Sequence, residues 1–460
     1  MPIPASPSRV EPHGISFGEA VRVWTRIALL SFGGPAGQIA VMHRILIDEK
    51  KWIGEERFLH ALNFCMLLPG PEAQQLAIYI GWLLHRVKGG LVAGVLFVLP
   101  GAVAIMALSW VYVLFGRAAP IAALFFGLKA AVVAIVFQAV VRIGSRALGN
   151  RAKWSVAVFA FLALFILRVP FPIVILAAGI IGWIAGRTGV EAFRGGGHGN
   201  ARPGTLRDED SALGAKIPDH ARAGFGPIVG VSGALIAAWV LPLLLIAAIA
   251  PVDSAFGAIG MFFSRMAMLT FGGAYAVLSW VGQAAVDQYH WLTPPEMLDG
   301  LGLAESTPGP LIMVTQYVGF LGAYRHPGTL TPLLAGTLGG LLTTWVTFVP
   351  CFLWIFAGAP FIERLRTNRS LSAALSAITA AVVGVILNLA LWFALHYWFG
   401  EVRTRNVGPI VLPIPNFATL DWFAVLLSVA ALVAILRLRL GTFAILGLCS
   451  LAGLARLAIA

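Results

Sequence analysis

Charge is what this chain has least of. Only 11% of its 460 residues are Asp, Glu, Lys or Arg, less than half of the roughly 25% usual in a soluble domain. That shortage excludes an ordinary soluble enzyme, whose surface needs polar side chains over most of its area. Cysteine is scarce too. Cys65, Cys351 and Cys449 stand alone in apolar surroundings, an odd count that supports neither a disulfide framework nor a zinc site and reads as small core residues. The first fifteen residues lack the apolar core and small-residue cleavage site of a signal peptide, so no cleavable leader is expected. His43, His60 and His85 show no ligand spacing, and His198 sits in a Gly-rich stretch, so no metal is assigned. The GGGHG around it lacks a P-loop lysine, which argues against ATP-driven transport and leaves no cofactor implied.

What the chain has in abundance is apolar length. Hydrophobic residues make up 59% of it, and runs such as 91–115 and 227–250 carry no charged residue. At ~20 residues per crossing, this content allows on the order of ten to thirteen spanning segments. Helices are expected near 16–33, 57–84 (interrupted), 89–115, 119–141, 153–168, 170–186, 227–250, 254–271, 297–323 (interrupted), 330–357, 371–399, 419–436 and 441–459. The net charge of +12 falls mainly in short segments between these runs, with no basic stripe or nucleic-acid motif. Positive-inside topology accounts for most of it, and nucleic acid is not an expected partner. One long polar stretch, Arg187 to Gly226, is too rich in Gly, Pro and mixed charge to bury a core of its own. It divides the chain into a first transmembrane repeat (1–187), a polar linker (188–226) and a second transmembrane repeat with an extra leading helix (227–460).

The halves are related. TRIALLSFGG (25–34) matches SRMAMLTFGG (264–273) at an offset of 239 residues, which aligns Arg26 with Arg265 and Ser31 with Thr270. The same offset aligns Asp48 with Asp287, Trp52 with Trp291, and Pro69-Gly70-Pro71 with Pro308-Gly309-Pro310. Farther on it becomes 250, where AAVVAIV (130–136) meets AAVVGVI (380–386), and the extra eleven residues fit a longer loop around Tyr324 to Thr331. If the interrupted segment is re-entrant, first-half loops 43–57, 85–88 and 142–153 share a side with ten Lys or Arg, against Arg117 opposite. In the second half the basic run moves to Arg364, Arg366 and Arg369, the equivalent of the Arg117 loop, which favours inversion. The expected fold is therefore an all-α polytopic membrane protein of two homologous helical halves in inverted repeat, each with a Pro-Gly-Pro broken helix, and with its binding site at the repeat interface.

Each Pro-Gly-Pro interrupts an apolar stretch, where proline removes a donor and glycine permits a sharp bend. Pro71 and Pro310 suit the first position of a second half-helix, whose free N–H groups would form an anion cradle; a simple kink is the bland alternative. Arg26 and Arg265 lie in apolar stretches, and a guanidinium matches a tetrahedral oxyanion. Either could instead snorkel or pair with Glu19, Asp48 or Asp287. The expected substrate-binding set is Arg26, Ser31, Gly33, Gly34, Pro69, Gly70, Pro71, Arg265, Thr270, Gly272, Gly273, Pro308, Gly309 and Pro310. Glu305, at the end of a first half-helix, and Glu72, just after Pro71, are the candidates for proton coupling, although Glu72 equally suits a helix terminus. Lys129 is a further intramembrane charge, lining a cavity or snorkelling.

Phe32-Gly33-Gly34-Pro35, the paired Pro-Gly-Pro elements, Phe271 to Tyr275 and Gln316 to Gly319 resemble the chromate ion transporter family in its long, two-domain form. Ala274 stands where Pro35 has its counterpart, so the halves need not contribute equally. The resemblance implies a multi-pass inner-membrane protein, not an enzyme. Its expected function is secondary active export of chromate as an antiporter coupled to the proton motive force, conferring chromate resistance. Expected partners are a chromate or sulfate oxyanion, the lipid bilayer, protons as coupling ion and a second copy in a homodimer. A sulfate or other oxyanion transporter or an anion channel is the alternative, and a membrane-embedded enzyme acting on lipid-linked phosphates a more distant one.

Overall fold

The structure, a computed structural model, describes residues 13–459 apart from 117, 194–204, 216–217, 219, 221–224, 250–253, 272, 360–367 and 409. Arg117, Arg364, Arg366, His198 and Gly272 thus lie outside the described residues. The first half comprises α1 (Phe17–Leu30), α2 (Gly34–His43), α3 (Glu55–Cys65), α4 (Glu72–Phe115), α5 (Ala119–Ala147), α6 (Arg151–Phe165) and α7 (Phe171–Thr188). After α8 (Phe225–Ile249) the second half repeats the order with α9 (Phe256–Leu269), α10 (Ala274–Gln283), α11 (Pro294–Ser306), α12 (Val314–Arg325), α13 (Pro332–Gly358) and α14 (Arg369–Trp398). A hairpin of β1 (Val402–Val407) and β2 (Ile410–Pro415) then leads to α15 (Trp422–Leu436) and α16 (Thr442–Ile459). Seven of the described helices are long and apolar enough to cross a membrane, and large exposed side chains such as Val103, Phe159, Ile180 and Leu426 face outward, as lipid requires.

Helix α4 is two arms. At His85 and Arg86 the backbone leaves helical geometry, with Arg86 at φ 53°. Beyond that point the chain runs back along itself, because Gly94 packs against Ile78 and Gly89 against Gly81. A straight helix would hold residues 78 and 94 about 24 Å apart. In the second half the loop 326–331 makes the same reversal between α12 and α13, with Gly319 set against Gly339 and Thr343. The extra residues of the second half fall in this loop and the opening turn of α13.

The segments flanking each Pro-Gly-Pro also fold back. Phe64 of α3 meets Tyr79 of α4, ring centroids 5.7 Å apart, and Gly300 of α11 is packed against Tyr317 of α12. Each pair straddles its break, so each broken helix is a re-entrant hairpin with Pro-Gly-Pro at the tip. Its arms of eleven to thirteen residues are too short to span a bilayer alone.

The equivalent helices α5 and α14 run antiparallel. Phe126, early in α5, lies beside Tyr397, late in α14, with the Tyr397 hydroxyl donating to Phe126 O at 2.8 Å; Gly144, late in α5, sits against Val383. Equivalent helices crossing in opposite senses make the halves inverted repeats. They are also interleaved. Glycines of α7 (Gly182, Gly186) admit α14 of the other half, and Gly127 of α5 and Gly453 of α16 meet closely, the small-residue packing that substitutes for a hydrophobic driving force in lipid.

Three features differ from the sequence expectation. Helices α2 and α10 fall where no helix was expected; each continues into a π-helical turn, Arg44–Glu49 and Ala284–Gln288. The β-hairpin was likewise not expected, because Pro413 and Pro415 obscure its alternation. Part of the linker is also docked rather than free of structure. Glu55 N donates to Leu206 O, while Ala212 N and Leu213 N donate to Lys51 O and Trp52 O at 2.9–3.0 Å. Backbone groups left open by residues 51–55 hold residues 206–213, and Leu206 and Leu213 pack against the apolar core of the first half.

Candidate functional site

The two Phe-Gly-Gly motifs end their helices in the same way. Ser31 (φ −83°, ψ 84°) and Thr270 (φ −78°, ψ 75°) have the geometry of an inverse γ-turn, closed by Phe32 N to Leu30 O and Phe271 N to Leu269 O at 3.1 and 3.0 Å. The glycines that follow include Gly33 at φ 76° and Gly273 at φ 96°, which L side chains rarely adopt. The turn leaves the carbonyls of Ser31 and Thr270 free of their own helices, and each finds a partner in the other half. Gly309 N donates to Ser31 O, and Gly70 N donates to Thr270 O, both at 2.8 Å. Each hairpin tip therefore reaches across the interface to the opposite Phe-Gly-Gly turn.

A second reciprocal contact seats the tips. A Cβ on Gly70 would lie 2.9 Å from Cys351 Sγ on α13, and one on Gly309 would lie 3.2 Å from the Cα of Gly101 on α4; Gly101 and Cys351 are themselves equivalent at the offset of 250. The halves then diverge. Gln38 of α2 donates to Gly309 O at 2.5 Å, so the second tip is held at both its N–H and its C=O, whereas Val277 occupies the equivalent place. On the first tip the Pro69 carbonyl accepts instead from Gln75 of the same hairpin at 2.7 Å.

Of the expected residues, Ser31, Gly33, Pro69, Gly70, Pro71, Thr270, Gly273, Pro308, Gly309 and Pro310 belong to these tips and turns. Gly34 opens α2 beside them. The hydroxyls of Ser31 and Thr270 donate to carbonyls one turn back, Ile27 O and Met266 O, at 2.7 and 2.6 Å. In this conformation they offer an anion no proton. Glu72 comes close to the opposite turn, its Oε1 3.9 Å from where a Gly273 Cβ would be. Glu305 is buried and accepts from Tyr275 Oη at 2.5 Å, and Arg142 of α5 is near enough to act electrostatically on both.

The arginines are placed elsewhere. Arg26 is exposed and paired with Glu49 at 2.6 Å, a structural pairing but with a different carboxylate from those expected. Arg265 is exposed on α9, opposite the buried Ile259, Phe263 and Met266. The signal was present in the sequence: Arg22 and Arg26, four apart, share the face opposite Val23, Ile27 and Ala20.

Sequence reasoning missed the polar lining. Gln38, Gln74 and Gln75 are at most 1% exposed, and among the described residues Gln38 Oε1, both amide atoms of Gln74, Gln75 Oε1 and the Thr347 hydroxyl have no hydrogen-bond partner. Buried polar groups are nearly always paired, which sets these residues of α2, α4 and α13, the helices that carry or touch the tips, apart from the rest of the interior. The first N–H groups of the arm beginning at Glu72 have no acceptor within the helix either.

A model of the family described as "Chromate transporter" matches residues 18–183 and 257–454. The chain belongs to the chromate transporter family. It is accordingly a multi-pass membrane transport protein and not an enzyme. The chromate transport protein of Pseudomonas aeruginosa is 31% identical over 379 residues, 82% of this chain and 80% of its own. That of Cupriavidus metallidurans is 28% identical over 369 residues, 80% of each, and an uncharacterised transporter of Methanocaldococcus jannaschii is 23% identical over 370. No solved structure matches.

Proposed function

We propose that this member of the chromate transporter family exports chromate from the cytoplasm across the inner membrane by alternating access at the repeat interface, conferring chromate resistance. The observation that carries the reading is the reciprocal pair of hydrogen bonds, Gly70 N to Thr270 O and Gly309 N to Ser31 O. Two equivalent contacts in inverted halves can open one at a time, which is the requirement for exposing a central site to one side and then the other.

The dianion is held by neutral donors, the Gln74 amide nitrogen, which has no partner among the described residues, and the N–H groups at the start of the arm from Glu72, rather than by the expected arginines. Sulfate has the same shape and charge and competes. Two carboxyl groups, Glu72 and Glu305, stand beside the tips, and a dianion tolerates them only when they carry protons; this links substrate to protons. The membrane potential drives the export, since each charge leaving a cell that is negative inside releases about 2.3 kcal/mol per 100 mV, and a dianion carries two.

Radiolabelled chromate should accumulate in inverted membrane vesicles containing the protein, and a proton and potential uncoupler should abolish the accumulation. Entry no faster than into vesicles without the protein overturns the reading. Arg26→Ala and Arg265→Ala should both keep flux within about twofold of the parent, because both side chains are exposed and turned away from the tips, and the Arg26–Glu49 contact is a surface ion pair that contributes little. A tenfold loss in either variant would return the arginines to the site.

A further inference from the structure

One buried ion pair lies outside the tips and turns. Lys129 Nζ of α5 is 3.1 Å from Asp299 Oδ1 of α11, and Tyr112 Oη of α4 donates to Asp299 Oδ2 at 3.0 Å. Asp299 is 4% exposed. The ring of Tyr317, on α12, closes the cluster edge-on to Tyr112 at 5.3 Å. The remaining ionisable groups whose charge reaches this cluster are Glu296 on the same helix and Tyr397 on α14. Arg456 on α16 is engaged with Asp421 at 2.7 Å, and Cys449 on the same helix is buried.

Two features set this pair apart from a structural brace. It joins the halves, with Lys129 from the first and Asp299 from the second, and Asp299 stands on the arm that ends in the second Pro-Gly-Pro tip, six residues before Glu305. It also has no copy: Thr379 and His60 occupy the equivalent positions, although the tips, the turns and the π-helical segments are all duplicated. A brace demanded by the fold would be expected in both halves.

We propose that Asp299 is a proton-binding site that controls the charge of Lys129. With Asp299 ionised, the pair is neutral and holds the second hairpin to α5. When Asp299 takes a proton on its carboxylate, the ion pair breaks and one uncompensated positive charge remains on the wall of the repeat interface, on a flexible four-carbon stem. In a site screened from water such a charge acts over distance, so proton uptake raises the affinity for an oxyanion dianion. By linkage the dianion raises the affinity of Asp299 for its proton by the same factor. The inference rests on the oxyanion reading above and adds the residue pair through which protons act.

The test is chromate-for-chromate exchange in vesicles, with KM followed from pH 6 to pH 8. Chromate's own ionisation affects every variant alike, so differences between proteins belong to the side chains. The parent KM should rise with pH, at most about tenfold per unit for each linked proton. Asp299→Asn, which mimics the protonated acid, should hold the low-pH KM and lose the part of the rise that belongs to Asp299, so that its slope is shallower than the parent's by up to one proton. Lys129→Gln should show a raised KM with the same shallower slope. If Asp299→Asn inserts poorly, the double variant Lys129→Gln/Asp299→Asn removes both charges together and should give a raised KM with that shallower slope. A parent-like rise in Asp299→Asn or in the double variant overturns the proposal. Absence of saturable exchange in the parent itself would instead overturn the oxyanion reading.

Discussion

Gly309→Ala is expected to reduce chromate flux at least tenfold while the protein still inserts, and Gly70→Ala is expected to do the same. At both positions the backbone is in the region that favours glycine, φ 97° and 129°, where an alanine is strained by about 1–3 kcal/mol. Space is short as well. The added methyl of Gly70→Ala would meet Cys351 Sγ at 2.9 Å and Gln75 Nε2 at 2.7 Å, and that of Gly309→Ala would meet Gly101 Cα at 3.2 Å, overpacking that costs typically about 1–3 kcal/mol. The strain falls on the contacts that carry the reciprocal hydrogen bonds, so it separates the tips from the opposite turns before it unfolds either half. Gly101→Ala attacks the same seat from the other side, since its methyl would lie 2.6 Å from Pro308 O. Gly257→Ala is the control. It is helical, with nothing within 4 Å of the added atom, and should leave flux unchanged or slightly raise stability. If Gly309→Ala and Gly257→Ala transport alike, the tips do not move against the turns in the way proposed.

Much of this architecture was legible because glycine and proline punctuate it. The Pro-Gly-Pro breaks and the Phe-Gly-Gly helix ends are places where local chemistry disfavours a continuing helix, whereas the reversal at 85–88, His-Arg-Val-Lys, shows only as a polar interruption between two apolar runs. Duplication supplied the rest, since a pattern repeated at a fixed offset stands out from its background. The same reliance on symmetry concealed what is asymmetric. Lys129 stands opposite Thr379 and Asp299 opposite His60, so the repeat gives no sign of the ion pair that the structure forms between the halves. Gln38, opposite Val277 in the repeat, was invisible for the same reason, although its amide closes on the second tip. The exposure of Arg26 and Arg265 was hidden for another reason: an apolar background gives no indication of which face a lone charge occupies unless the helical period is followed residue by residue. Helices α2 and α10 were missed because ten residues that open within or just after a Gly-Gly pair resemble a loop until the neighbouring arms pack on them.

Replacing Gln74 with leucine should separate stability from transport in a way no structural residue would. Its side chain is wholly buried, yet neither amide atom has a hydrogen-bond partner among the described residues. Such a group destabilises the fold by about 1–3 kcal/mol, so Gln74→Leu, of similar volume, should leave the melting temperature unchanged or raise it. An amide donating to a dianion contributes about 1.5–3 kcal/mol, and its loss should raise the KM for chromate by tenfold or more, with sulfate competition weakened in parallel. Gln75→Leu differs in a useful respect. Its Nε2 already donates to Pro69 O at 2.7 Å, so this substitution should lower both the melting temperature and the flux. A Gln74→Leu protein that is more stable and transports as before would show that the unpaired amide serves no ligand. One that loses stability together with flux would show that the amide is satisfied within the fold. The neutral-donor site stands only if the two quantities move apart, stability holding or rising as affinity falls.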